Sequence, residues 1–425
     1  MRLVECREID EVFYASDCAL GGEVWTIPKP HARQISIQLR VGLGGLHSLD
    51  NAHAMGIAHF IEHRLFEKEA GDISDRFAAL GGDVNASTGL ASTDYTLSCS
   101  SHLEEHIDML CELVFEPYWE AKSIERERDI VASEIRLYRD DPEWVGYYSC
   151  LRGAYGEQVI GREIAGDEAF LDAVDADLLD RWHEAFYQPP NTSLFVSGNV
   201  DPRHVAGIYE NALRRHVRCH PTGIGQAWSE TPNVLPPAQG LPLVQTQAAV
   251  RHPQIFMAFP DSGLGDPPRT IGRELALEIG LDMAMGPASN AFARWYESGL
   301  LLGDSFSAEV HMEQAYGFCM VSAETDSPVQ FAEAVCQTLR ADWPGADWRG
   351  DFARAQRKIY GQVVRSFETP DGCVEIMNAA RQLGGEPFDY INLLGELHPE
   401  DIAEGFEHCL NPGRVGIAHL LPGAV

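Results

Sequence analysis

The sequence is poor in positive charge and has no long apolar run. Its 425 residues carry 32 basic and 64 acidic side chains, a formal net charge of -32 at pH 7, and lysine occurs at only four positions. Such a surface repels nucleic acid and anionic membranes, and it suits either simple solvation or the attraction of basic peptides. No segment approaches the roughly 18 apolar residues that span a bilayer, and the first ten residues lack the apolar region of a signal peptide. We therefore expect a cytoplasmic protein.

The ten cysteines are scattered, and no two of them form a C-x-x-C pair. A zinc ribbon or a thioredoxin-like redox site is therefore disfavoured. We expect buried, reduced thiols, as is usual in cytosolic proteins.

The length of the chain suits two domains better than one hydrophobic core. The segment 219–243 is rich in proline and glycine and lacks periodicity, so we predict that it links a domain at 1–218 to a second domain at 244–425. Strands precede amphipathic helices in both parts, which predicts a duplicated α+β domain.

Hydrophobic periodicity predicts the individual elements. We expect strands at 24–27, 35–41, 84–98 (a pair), 192–198, 254–259 and 306–323 (a hairpin). We expect helices from about residue 56, and at 72–80, 100–115, 120–138, 178–187, 272–285, 290–297, 328–339 and 351–364.

The chemistry of the sequence is concentrated in Gly56-Ile-Ala-His-Phe-Ile-Glu-His-Arg-Leu-Phe66. Residues four apart share one face of a helix, so His59 and His63 can bind one metal ion. Glu62 lies at the edge of that face and can reach a water on the metal without ligating the metal. A catalytic zinc takes three protein ligands and an open position, and it acidifies its water so that a carboxylate can take the proton. The surrounding residues are apolar, as a buried active-site helix requires.

A second segment, His102-Leu-Glu-Glu-His106, fits the same H-x-x-E-H pattern. Leu103, Ile107 and Leu110 mark the buried face of its predicted helix. We therefore expect His102, Glu105 and His106 to face solvent and to bind no metal.

The first motif resembles the inverzincins, the family of pitrilysin, insulin-degrading enzyme and mitochondrial processing peptidase. In that family a helical glutamate some 70 to 80 residues downstream is the third zinc ligand, and another glutamate precedes it by seven. Glu127-Arg-Asp-Ile-Val-Ala-Ser-Glu134 fits this pattern, with Glu134 lying 71 positions after His63. The resemblance implies that Glu134 is a zinc ligand and that Glu127 supports the site from behind the ligands.

The segment Gly82-Asp-Val-Asn85-Ala86-Ser-Thr88, followed by Thr93-Asp-Tyr95, resembles the edge strand of the family, which takes substrate by strand addition. The resemblance implies that Asn85 and Ala86 bind substrate; an ordinary strand turn is the alternative. It also implies that each domain is a mainly antiparallel sheet flanked by helices, and that the two domains form one half-shell of a clam-like peptidase. The sequence resembles in particular the bacterial members of the family that are similar to processing peptidases.

The second half departs from the family pattern. It has no H-x-x-E-H near its start, so we expect one zinc ion per chain. Family members carry an Arg and a Tyr seven residues apart there, which stabilise the oxyanion of the reaction. In this sequence Arg294 is in place, but the tyrosine position holds Leu301, and Tyr296 lies five residues too early. The resemblance therefore implies a heterodimer in which a related partner subunit supplies the Arg/Tyr pair.

The sequence thus predicts a zinc metalloendopeptidase that hydrolyses short or unfolded peptides inside a chamber. The alternatives are a non-catalytic scaffold of the same fold, against which the intact motif argues, and a metal hydrolase on another fold. The cleavage specificity and the choice between peptide maturation and degradation stay open.

Overall fold

The computed structural model describes residues 1–48, 54–156, 158–217, 243–261, 267–340 and 348–423, which form two compact units. The first unit consists of the described residues of Met1–Ile135, Glu163–Pro232 and Val364–Arg381. The second consists of those of Arg136–Arg162, Asn233–Val363 and Gln382–Val425. The predicted linker at 219–243 lies outside the described residues apart from Leu243, so the predicted domain boundaries stay a prediction.

Strands and helices are numbered in chain order. The strands are β1 (Arg2–Cys6), β2 (Glu11–Asp17), β3 (Glu23–Pro28), β4 (Ile35–Val41), β5 (Glu67–Lys68), β6 (Gly71–Asp72), β7 (Asp83–Thr88), β8 (Thr93–Cys99), β9 (Thr192–Gly198), β10 (Val244–Ala248), β11 (Gln254–Pro260), β12 (Ser307–Met312), β13 (Gly317–Glu324) and β14 (Gly416–Pro422). The helices are α1 (Ile57–Leu65), α2 (Ser74–Ala79), α3 (Leu103–Phe115), α4 (Ala121–Asp140), α5 (Pro142–Tyr155), α6 (Glu168–Ala173), α7 (Ala176–Phe186), α8 (Pro202–His216), α9 (Pro267–Met285), α10 (Asn290–Glu297), α11 (Pro328–Arg340), α12 (Trp348–Ser366), α13 (Pro370–Gln382), α14 (Asp389–Glu396) and α15 (Pro399–His408).

A seven-stranded sheet in the order β1-β2-β3-β9-β4-β8-β7 forms the centre of the first unit. Its neighbouring strands are antiparallel except β3 and β9, which run parallel. Alternate residues of β4, among them Ile37 and Leu39, are fully buried in the hydrophobic core. The strand β7 stands at the edge of this sheet, so one of its sides has no partner strand among the described residues.

The second unit is built around a five-stranded sheet in the order β10-β14-β11-β13-β12. Its neighbouring strands are antiparallel except β10 and β14, which run parallel. The central strand β11 is almost entirely apolar and buried, because Ile-Phe-Met-Ala-Phe can pack on both faces of the sheet. Both sheets are therefore mainly antiparallel and flanked by helices, which confirms the predicted α+β class.

Each unit also contains a helix from the other half of the sequence. The helix α5 belongs to the second unit, where Tyr155 donates a hydrogen bond to the carbonyl of Gly317 on β13 (2.8 Å). The helix α13 belongs to the first unit, where Asn378 accepts a hydrogen bond from Arg40 on β4 (2.9 Å) and Asp371 accepts one from Gln34 (2.9 Å). The two halves of the sequence thus exchange one helix each.

Most predicted elements are confirmed, and the omissions have clear causes. The predicted helix at 290–297 matches α10, and the predicted strand at 192–198 matches β9. The predicted helix at 120–138 matches α4, but α5, which begins at Pro142, is not predicted from the sequence. Asp141 caps that helix by accepting a hydrogen bond from the amide of Glu143 (2.9 Å). Proline is favoured at this position because its missing N–H would have no partner there.

The expectation that His106 faces solvent is wrong. Its side chain is fully buried, is stacked on Phe77 and bonds to the carbonyl of Ser101 (3.0 Å). His102 precedes α3 with φ 57°, so it does not continue the helix and does not share a helical face with His106. In the part of the chain that the structure describes, this second motif does not form a metal-binding group. That part also has no helix long and apolar enough to span a bilayer.

Candidate metal centre

The helix α1 presents the H-x-x-E-H motif from within the core of the first unit. It begins after Gly56, which has φ 97°, a left-handed conformation that favours glycine. A Cβ at this position would lie 2.8 Å from the Ala165 carbonyl oxygen and 2.8 Å from the Phe170 ring. Close packing therefore fixes the start of α1, and the apolar residues between the motif positions are buried.

His59, His63 and Glu134 come together although Glu134 lies on a different helix, α4. Their potential ligand atoms all lie within 4.8 Å of one another. Oε2 of Glu134 is 3.7 Å from Nε2 of His59 and 3.6 Å from Nε2 of His63. The structure thus brings together the two motif histidines and the glutamate 71 positions downstream.

This group fits a zinc ion. Two imidazole nitrogens and a carboxylate oxygen are a common ligand set of catalytic zinc sites, and donors about 2.0–2.1 Å from a tetrahedral ion lie roughly 3.3 Å apart. The observed separations of 3.6 and 3.7 Å are close to that value. Three donors from the protein would leave a fourth position for water or substrate. Nδ1 of His59 is buried and meets no hydrogen-bond partner among the described residues.

The two histidines differ in electrostatic environment. Burial, followed by the neighbouring His63, lowers the pKa of His59 to about 4, so its imidazole is neutral and free to donate a lone pair. Burial also disfavours the charged form of His63. The hydrogen bond and charge of Glu127, followed by the charges of Glu134 and Glu62, outweigh burial and raise the pKa of His63. His63 is therefore the more basic of the two potential ligands, and Glu127 makes the largest contribution to raising its pKa.

Glu127 links His63 to a buried arginine. One carboxylate oxygen is 3.0 Å from Nδ1 of His63, and the other accepts a hydrogen bond from Nη1 of Arg64 at 3.3 Å. The side chain of Arg64 is only 2% exposed and also donates to Glu67 at 2.6 Å. Burial by itself would raise the pKa of Glu127. The hydrogen bonds and charges of His63 and Arg64 lower it by more, so the pKa of Glu127 is below its ordinary value. Glu127 is thus a charged carboxylate held from two sides.

Glu62 lies beside the three ligand candidates and is 8% exposed. Burial raises its pKa, and a hydrogen bond from Thr88 at 2.5 Å opposes that shift. Tyr95 is fully buried in the same core, and its hydroxyl lies 2.9 Å from that of Tyr187. Burial raises the pKa of Tyr95, and the charge of Glu62 makes a smaller contribution in the same direction. A buried carboxylate beside a metal centre has the properties that a general base requires.

The predicted substrate-binding residues lie on the edge strand β7. Asn85 is exposed, and its side-chain oxygen accepts a hydrogen bond from the amide of Ala86 (2.9 Å). Among the described residues, strand β7 pairs only with β8, so its outer side can add a strand.

The other predicted residue belongs to the second unit. Arg294 lies on α10 and is exposed. Leu301, where the resemblance leads one to expect a tyrosine, is 4% exposed, and its amide donates a hydrogen bond to the carbonyl of Trp295 (3.2 Å). Tyr296 is 56% exposed, two residues after Arg294 and hence on a different side of the helix.

The roles of two residues of the site are not predicted from the sequence. Arg64 is a charge within an otherwise apolar helix, next to the second motif histidine, and that contrast could have indicated a buried ion pair. The hydrogen bond of Thr88 to Glu62 joins positions 26 residues apart and left no local signal.

Two family models match the chain in succession. Insulinase (Peptidase family M16) matches residues 23–168, and Peptidase M16 inactive domain matches residues 173–341. The first match contains all the motif and ligand residues discussed above. The second contains Arg294 and Leu301.

Similar proteins are known from sequence and from structure. The uncharacterized zinc protease YmfH of Bacillus subtilis is 25% identical over 437 residues, which cover 99% of each chain. A crystal structure described as an M16-like peptidase from Alicyclobacillus acidocaldarius has a TM-score of 0.86 at 24% identity, covering 99% of this chain and 100% of that one. The periplasmic protease PqqL of Escherichia coli has a TM-score of 0.74 at 15% identity, covering 100% of this chain but 48% of PqqL. These structures have the same fold.

Proposed function

Because this chain belongs to peptidase family M16, the insulinase family, we propose that it is a zinc-dependent endopeptidase. The observation that carries the proposal is the buried group of His59, His63 and Glu134 with the carboxylate of Glu62 beside it. A non-catalytic scaffold would have no need of this combination. We propose that this group holds one zinc ion.

His59, His63 and Glu134 would hold the ion, which would polarise the scissile carbonyl and acidify the attacking water. Glu62 takes the proton from that water and delivers it to the leaving amine. Glu127 keeps the His63 ring in the orientation that points Nε2 towards Glu134. These roles divide the work between ligands, a base and a positioning carboxylate.

An extended peptide would bind by adding to the free side of β7. Backbone hydrogen bonds of this type need an unfolded segment and carry little side-chain specificity. Asn85 and Ala86 lie in the middle of β7, on the strand whose last residue contacts Glu62. Short or unfolded peptides are therefore the proposed substrates.

The location in the cytoplasm stays a prediction from the sequence.

The proposed active form is a heterodimer. The buried Leu301 leaves this chain without the family tyrosine, and Arg294 alone would stabilise the oxyanion poorly. A related subunit with an intact Arg/Tyr pair would complete the site. Native mass spectrometry of protein purified from its own cells tests this: a zinc-bearing homodimer with full activity would rule it out.

The test of the function is cleavage of a peptide library by the native assembly, read by mass spectrometry. We expect cleavage that chelation of zinc abolishes and added zinc restores. Glu62→Gln should lose turnover while keeping zinc. Exposed Glu125→Gln on α4 should behave as the wild type. The alternative function is a non-catalytic scaffold, and the match of the second family model, described as an inactive domain, favours it. A native assembly that binds zinc but cleaves no peptide would support this alternative.

A further inference from the structure

Thr88 is the last residue of β7, and it touches the proposed general base. Its Oγ1 lies 2.5 Å from Oε2 of Glu62. Among the residues that the structure describes, no other side chain forms a hydrogen bond with Glu62. Thr88 thus holds one oxygen of the carboxylate, and the other oxygen forms no hydrogen bond with a described side chain.

The direction of this hydrogen bond follows from its neighbours. Thr93, which pairs with Thr88 across the hairpin, lies with its Oγ1 3.4 Å from that of Thr88. The Thr93 hydroxyl donates its single proton to the carbonyl of Leu43 (2.8 Å). An ionised carboxylate can only accept, so the proton between Thr88 and Glu62 comes from Thr88.

The backbone of Thr88 is itself well fixed. The amide of Gly89 donates to the carbonyl of Ser92 (2.8 Å), which closes the turn between β7 and β8. The side chain of Thr88 is only half-buried, and its β-branched form restricts the rotation of χ1. The position of the hydroxyl is therefore restricted, and the carboxylate of Glu62 bonds to the strand rather than to a side chain of its own helix.

We propose that Thr88 is a positioning residue that fixes the carboxylate of Glu62, and that it couples the base to the strand proposed to bind substrate. The proposal rests on the proposed peptidase function for its kinetic consequence. A peptide paired with β7 would then lie in a fixed register relative to Glu62, because Thr88 is a residue of β7 and also forms a hydrogen bond with the Glu62 carboxylate. The hydroxyl, and not the bulk of the side chain, carries this role.

The kinetic test compares variants of the native assembly. Thr88→Val keeps the shape and removes the hydroxyl, so kcat should fall about 10- to 100-fold with KM and zinc content within about twofold of wild type. Thr88→Ser restores the hydroxyl and should recover most of kcat. Thr246→Val, on β10 of the second unit, is the matched control. An unchanged kcat in Thr88→Val, or an equal loss in Thr88→Ser, would overturn the proposal; Thr88→Ala replaces Thr88→Val if that variant does not fold.

A structural test separates this proposal from the peptidase function. Crystal structures of zinc-free wild type and Thr88→Val should show the Glu62 carboxylate in one orientation in the first and rotated or in several orientations in the second. Thr88→Ser should match the wild type. An identical carboxylate in Thr88→Val would overturn the proposal even if the enzyme is active. A displaced one would support it even if no peptide is cleaved.

Discussion

Replacing Glu127 with glutamine should weaken zinc binding without removing a ligand. In the structure Glu127 bonds to Nδ1 of His63 at 3.0 Å and to Nη1 of Arg64 at 3.3 Å. Glutamine keeps the size and an acceptor oxygen for His63, but it loses the negative charge. The NH2 of the glutamine side chain would then face the guanidinium of Arg64. Both groups are hydrogen-bond donors, so they could not bond to each other.

The size of the effect follows from the role of such carboxylates. Partners behind a ligating histidine raise its basicity and fix its ring, and their loss typically weakens metal binding 10- to 100-fold. That corresponds to about 1.4–2.8 kcal/mol of binding free energy. Arg64, which is 2% exposed, keeps Glu67 as its remaining partner, so we also expect a lower melting temperature but a folded protein at 25 °C.

The assay is competition for zinc against a chromogenic chelator at 25 °C, with circular dichroism to show that each variant is folded. Glu125→Gln, two residues earlier on α4 and exposed, removes the same charge from the same helix and should bind zinc as the wild type does. Equal affinity of Glu127→Gln and Glu125→Gln, within about threefold, would refute the reasoning. It would mean that the hydrogen bond to His63 contributes nothing to metal binding.

Three further predictions concern stability. Burial raises the pKa of Glu274 to about 8 and of Glu278 to about 7, so protonation favours the folded state: the stabilisation is complete below about pH 4.5 and is lost as the pH rises through 7 to 8. Urea unfolding should therefore show lower stability at pH 8 than at pH 5.5, and Glu274→Gln should flatten that dependence. Gly146→Ala on α5 should cost about 1–3 kcal/mol, since its Cβ would lie 2.1 Å from the Phe256 ring; an unchanged melting temperature would contradict this. Asp201→Ala, which removes the cap of α8, should cost about 1 kcal/mol in urea unfolding.

The sequence was sufficient where chemistry is local. The spacing of His59 and His63 predicts a shared helical face, and α1 has both on a buried helix. The buried, apolar strand β11 and the amphipathic helix α10 were also found from periodicity alone. In each case a single element determines the pattern.

The sequence was insufficient where distant segments meet. Glu134 was found only through the resemblance to a family, because 71 residues separate it from His63 and nothing local marks it as a ligand. The same pattern search was misled at His106, whose burial beside Phe77 depends on a neighbouring helix. Local periodicity also gave no indication that α5 and α13 pack on the sheets of the opposite halves, since their partners are chosen by tertiary packing.

The exchange of α5 and α13 has a consequence for the order in which the protein can be completed during synthesis. A chain leaves the ribosome from its N-terminus, and domains usually fold as they emerge. Here the first unit includes residues 364–381, so its sheet receives α13 only after residues 244–381 of the second half have been made. The hydrogen bonds that Arg40 and Gln34 make with α13 are absent until then. The unit that holds the metal centre is thus finished late, and a nascent chain released before residue 381 would carry an uncovered polar sheet face.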